Sequence, residues 1–114
     1  MTSLYFLTSR DYDGFEPPLA YDVVRRAQVP QGKDAVLIKL RGAFDLADYG
    51  LSEQERYLII ATRHKGTRIR DAEDGETVFV NIFRTRKSLF GGRRGQAGQK
   101  DLIAWGEVYC EETD

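Results

Sequence analysis

Cysteine and histidine are almost absent from this chain: Cys110 is the only thiol and His64 the only imidazole. A single cysteine excludes an intrachain disulfide, and with it a small disulfide-stapled scaffold. One residue of each kind also falls short of the several His or Cys ligands of a usual zinc site. Long apolar runs are missing too, since no stretch approaches the roughly 18 residues of a membrane-spanning helix. The first ten residues, Met-Thr-Ser-Leu-Tyr-Phe-Leu-Thr-Ser-Arg, lack the basic start and apolar stretch of a signal peptide. A cytoplasmic residence with no membrane partner is the expectation. No Gly-x-x-x-x-Gly-Lys-Ser/Thr phosphate loop and no Gly-x-Ser-x-Gly nucleophile turn occurs. The expected cofactors are therefore none.

What is present is an ordinary globular composition, 41% hydrophobic, 11% aromatic and 31% charged, over 114 residues. That length suits one domain with one core, spanning 1–114. The formal net charge of −1 hides an uneven distribution. Residues 1–62 carry seven basic and nine acidic side chains, 63–100 carry ten and four, and 101–114 carry none and five.

Alternating patterns of period two dominate the chain. Residues 4–8 read as a short strand. Over 33–44, Val36, Ile38 and Leu40 oppose Leu37, Lys39 and Arg41, and over 57–64 Tyr57, Ile59 and Ala61 oppose Leu58, Ile60 and Thr62. In 77–86 both faces are largely apolar, which predicts a central strand covered on both sides. Residues 102–110 supply a last strand, and 67–70 read as a short edge strand blunted by arginines. Burial is expected for Val78, Val80, Ile82, Ile59 and Ala104.

Pro30-Gln31-Gly32 fits a type II turn, and Asp74-Gly75 fits a hairpin turn joining 67–70 to 77–86. Two segments stay ambiguous. Residues 19–29 suit either a strand or a helix whose apolar face is Leu19, Ala20, Val23, Val24 and Ala27. Ser52-x-x-Glu55 has the form of a capping box and suits one helical turn. The fold class is mainly β, or α+β with one short helix: a small single-domain β-barrel or sandwich of five to seven strands.

Two basic clusters are the candidate sites. The first, 84–100, has six basic residues and four glycines with no acid, and includes a Gly/Arg-rich loop at about 87–100. Arg84, Arg86, Lys87, Arg93, Arg94 and Lys100 offer phosphate-pairing cations, and Phe90 offers a ring on which a base can stack. The second cluster holds Arg63, Lys65, Arg68 and Arg70. Each also reads more simply, as a solvated connector and as a charged edge. His64 reads as solvent-facing or packed, and Cys110 as a small core residue far from activating positive charge. Asp11, Asp13 and Glu16 look like turn formers, lacking the ligand spacing of a calcium loop. No spacing singles out an acid–base pair among Asp11, Asp13, Glu16, Asp45 and Asp48.

The leading reading is a non-enzymatic protein-interaction module, able to recruit its partner by strand addition at an exposed sheet edge. The alternative is single-stranded nucleic-acid binding through 84–100 with help from 63–70. A further one is a small enzyme using carboxylates and arginines in a barrel mouth. If the glycine–arginine segment binds phosphates, Arg93→Ala with Arg94→Ala will weaken oligonucleotide binding. The slope of log affinity against log salt will become shallower by roughly 0.7 for each single-strand phosphate no longer neutralised. Folding stability will stay within about 0.5 kcal/mol of wild type. Absence of any oligonucleotide binding at low salt would rule the segment out as a nucleic-acid site.

Overall fold

The computed structural model describes residues 2–7, 19–30, 33–41, 56–85 and 97–110. Six strands, β1 (Thr2–Leu7), β2 (Leu19–Arg26), β3 (Ala35–Leu40), β4 (Tyr57–Thr62), β5 (Val78–Arg84) and β6 (Leu102–Cys110), form a closed antiparallel barrel in chain order. Each strand pairs with its neighbour in sequence, and β6 returns to β1 over six residue pairs, Thr2↔Cys110 to Leu7↔Trp105. Residues 19–29, ambiguous in sequence, resolve as strand over 19–26. Gln31 and Gly32 of the expected turn, Ser52–Glu55, Asp11, Asp13, Glu16, Asp45 and Asp48 lie outside the described residues. No described helix is long and apolar enough to cross a membrane.

Alternation sends one side chain in two to the barrel interior. Leu4, Tyr21, Ile38, Leu40, Leu58, Ile60, Val78, Val80, Ile82, Ala104 and Val108 meet there in one buried cluster. Ile69 and Ala72 join the same cluster from a short 3-10 helix, Ile69–Ala72, which stoppers one end of the barrel. A second buried cluster lies on the opposite face of the wall. It is built from Ala35, Leu37, Ile59, Ala61 and Phe83 beneath Ala27, Val29, Ala97 and Leu102. The backbone N–H of Ala97 donates to the Gln28 carbonyl and ties the two covering segments together. The all-apolar runs in β3 and β4 follow from burial on both faces.

The strand covered on both sides is thus β4, from Leu58 onward, rather than β5. On the outer face of β5, Phe79 is 41% exposed and Asn81 is half-buried, leaving only Phe83 covered. The expected edge strand at 67–70 is likewise corrected: Arg68 is extended, but Ile69–Ala72 is the 3-10 helix. Asp74-Gly75 consequently turns a helix into β5 and does not join two strands; Gly75 adopts φ 93°, the left-handed region that favours glycine. The five residues expected in the core are all buried. Cys110 is half-buried at the end of β6.

Closing so few strands brings backbones close together at β6. A Cβ on Gly106 would stand 2.5 Å from the Tyr5 carbonyl oxygen and 2.9 Å from Ile82 Cδ1. Glycine is therefore required by a neighbouring strand, not by its own backbone angles. Gly106→Ala is expected to cost about 1–3 kcal/mol through overpacking. Adding Ile82→Val will fail to restore the loss, because the closer obstacle is main chain. Urea unfolding of the single and double variants checks this, and full rescue by Ile82→Val would contradict it.

Candidate functional site

The barrel closes unevenly. β1 meets β2 through only two pairs, Ser3↔Ala20 and Leu4↔Leu19. From Tyr21 to Arg26 the β2 backbone is paired, among the described residues, with β3 alone. The register with β3 slips between Val23 and Arg25, so Val24 is the extra residue of a β-bulge. Val23 and Val24 are 56% and 48% exposed, the most exposed large apolar side chains described. An unpaired row of N–H and C=O groups beside exposed valines is a template for another strand.

Facing this stretch of β2 is a groove of about 1050 Å³. One wall is Tyr21, Asp22, Val23 and Arg26 with Lys33, Asp34 and Val36; the other is residues 66–70 and Glu73. Asp34 holds the two walls together. Its Oδ2 accepts the Ile69 N–H at 2.8 Å, its Oδ1 accepts from Arg26 at 3.3 Å, and its carbonyl accepts the Thr62 N–H at 2.9 Å. Asp71 caps the same 3-10 helix by accepting the Arg68 N–H at 2.9 Å. The Asp71 carboxylate is thus part of the turn's structure.

The charges of the groove are unequally satisfied. Asp22 receives Arg41 through two contacts, 2.7 Å from Nε and 2.6 Å from a terminal nitrogen. Asp34 is taken up as described. Lys33 donates to the Arg63 backbone carbonyl at 2.8 Å and forms no ion pair among the described residues. Arg68 and Arg70 are exposed and form no ion pair among the described residues. Three cations thus stand against Glu73 and the adjacent Asp71. Tyr21, inside the barrel below the groove, has its hydroxyl pKa pushed well above the ordinary value, chiefly by burial and secondarily by the charges of Glu73 and Cys110.

Of the two basic clusters read from the sequence, the described members stand at opposite ends of β5. Arg63 and Lys65 are exposed just after β4, and Arg68 and Arg70 lie between there and β5. Arg84 ends β5, half-buried, and Lys100 is exposed in the turn before β6, at the other end of the barrel wall. The seven residues of β5 span roughly 20 Å at the usual rise per residue. Arg86, Lys87, Phe90, Arg93 and Arg94 lie outside the described residues.

Aromatic residues on β1, β6 and β5 form a separate surface that is largely occupied by its own contacts. Tyr5 and Tyr109 stack at 4.9 Å with their hydroxyls hydrogen-bonded to each other. The Arg63 guanidinium sits over Trp105 at 5.9 Å, and His64 meets Phe79 edge-on at 6.3 Å. Among the described residues no group of three His, Cys, Asp or Glu side chains could hold a metal ion. Val23, Val24, Arg26, Lys33 and Asp34 carry no motif that marks them as site residues in the sequence. The adjacent Val23-Val24 pair ahead of Arg25-Arg26 is the one local signal that points toward them. No known protein family, curated protein or solved structure matches this chain.

Replacing Asp34 will loosen the 3-10 stopper before the barrel itself. Asp34→Ala leaves the half-buried Ile69 N–H without its charged acceptor, a loss of about 1.5–3 kcal/mol. The exposed Arg26 pair adds little. Asp34→Asn keeps an acceptor oxygen and will lose less. Amide exchange at Ile69 and Ala72 will accelerate more than at Ile60 or Val80. Equal acceleration throughout would show that Asp34 serves only global stability.

Proposed function

We propose that this barrel is a non-enzymatic protein-interaction module that accepts an extended segment of a partner protein as an added strand along β2. The observation that carries this reading is the β2 edge from Tyr21 to Arg26, unpaired on the β1 side among the described residues and lined by exposed Val23 and Val24. Backbone hydrogen bonds give such recognition its affinity, and pockets for alternate side chains give it selectivity. The adjoining groove supplies those pockets through Tyr21, Val23, Val36 and Ile69.

The other two readings draw less support. An enzyme in the barrel mouth has Asp22, Asp34 and Glu73 available, but Asp22 is held by Arg41 and Asp34 by Ile69 and Arg26. Nucleic-acid binding would use basic residues whose described members, Arg84 and Lys100 on one side and Arg63, Arg68 and Arg70 on the other, stand at opposite ends of β5, with Arg63 already engaged on Trp105.

Peptides selected from a random displayed library are expected to slow amide exchange within 21–26. N-methylation of alternate peptide amides should abolish binding in one frame and spare it in the other, since only every second N–H of an added strand faces β2. Failure to select any peptide, or protection confined to β5 and β6, would overturn the reading.

A further inference from the structure

The charge left over in the groove specifies what kind of strand β2 accepts. We infer that the partner segment is acidic, an extended peptide with carboxylate side chains at alternate positions that pair with Arg68, Arg70 and Lys33; this rests on the strand-addition reading above. The two walls differ in character. β2 and β3 contribute Val23 and Val36, whereas the opposing 66–73 segment presents Arg68 and Arg70, exposed and without ion pairs among the described residues. Arg68 is held by its backbone, through the Asp71 cap, so its side chain is not consumed in holding the turn. The same holds for the stopper as a whole, which is anchored through the Ile69 N–H and the buried Ile69 and Ala72. Both guanidinium groups are therefore carried on a fixed support and able to pair bidentately with carboxylates.

Of the three acids lining the groove, Asp22 and Asp34 are neutralised in place, by Arg41 and by Arg26 with Ile69. Lys33, Arg68 and Arg70 against the lining Glu73 and the neighbouring Asp71, whose carboxylate accepts the Arg68 N–H, still leave an excess of positive charge, three cations to two acids. A strand laid on β2 places successive side chains alternately on two faces. One set then meets Val23 and the groove floor, and the other meets the arginines. The complementary sequence alternates apolar and acidic residues.

The test uses three capped heptapeptides, with valine alternating with glutamate, glutamine or lysine, titrated into the whole chain. Binding is followed by amide shifts and by fluorescence anisotropy. The glutamate peptide is expected to bind at least tenfold more tightly than the glutamine peptide, with the difference shrinking at high salt. Arg68→Glu with Arg70→Glu should reverse the order in favour of the lysine peptide. Folding should survive, because both side chains are exposed and the Asp71 cap uses the Arg68 main chain. Equal binding of the glutamate and glutamine peptides, with 21–26 still protected, would overturn the acidic preference and leave strand addition standing. Binding of none of the three without protection at 21–26 would overturn both. A single-stranded oligonucleotide that displaces the glutamate peptide and binds more tightly, with the same dependence on Arg68 and Arg70, would transfer the groove to nucleic acid.

Discussion

A barrel of six strands has two ends, and each must be stoppered or left wet. Here one end is closed by Ile69 and Ala72, and what keeps them in place is the carboxylate of Asp34. Its position just before β3 lets one residue serve two tasks. The carbonyl holds the end of β4 through the Thr62 N–H, while the side chain reaches 35 residues along the chain to Ile69. The buried apolar contacts of Ile69 supply the attraction, which has no preferred direction. The hydrogen bond fixes the angle at which the turn enters. Through that angle it also sets the width of the groove and the placement of Arg68 and Arg70.

Pairing around the closed barrel is uneven among the described residues. Six pairs join β1 to β6 and two join it to β2. Tight curvature is absorbed at β6 by Ala104 and Gly106, whose small size lets β1 and β5 approach. β2 carries its bulge at Val24, and by the Ser3↔Ala20 register its residues 22–26 extend beyond the described start of β1 at Thr2. Natural edges are commonly blunted by charge and by bulges, and β2 has both, with Arg25 and Arg26 exposed after the bulge. Yet the backbone of Tyr21, unpaired on the β1 side among the described residues, and the exposed Val23 precede those devices. The shielding is thus partial.

How much of this is legible in the sequence depends on the range of the interaction responsible. Strand 102–110 is readable from its alternation alone, as are the buried Val78, Val80 and Ile82. The apolar pattern points to β5 as the strand covered on both sides, because β5 and β4 have equally apolar sequences. The decision in favour of β4 rests on Val29 and Ala97, which come from distant segments. Residues 67–70 alternate like an edge strand, but Asp34 and Asp71 capture their N–H groups, and only Asp71 is near in sequence. Segment 19–29 is undecided by pattern because Val23 and Val24 satisfy both periods. Pairing with β3 chooses the strand. The candidate residues Arg68 and Arg70 are visible in the sequence as charge, though not as the wall of a groove.

The positive groove also bears on self-association, since an open edge with exposed valines is a hazard in any β protein. Two copies pairing through β2 would each bring Lys33, Arg68 and Arg70 toward the shared seam. Of the acids on that wall, Glu73 and Asp71 are without an ion pair among the described residues, two charges against three. Like charges brought together in a closing interface are strongly unfavourable, and screening weakens as water is excluded. The cations therefore discriminate between two strands that satisfy β2's backbone equally well. On the proposed reading they would oppose the edge of a second copy and favour an acidic segment, so that one feature would serve both.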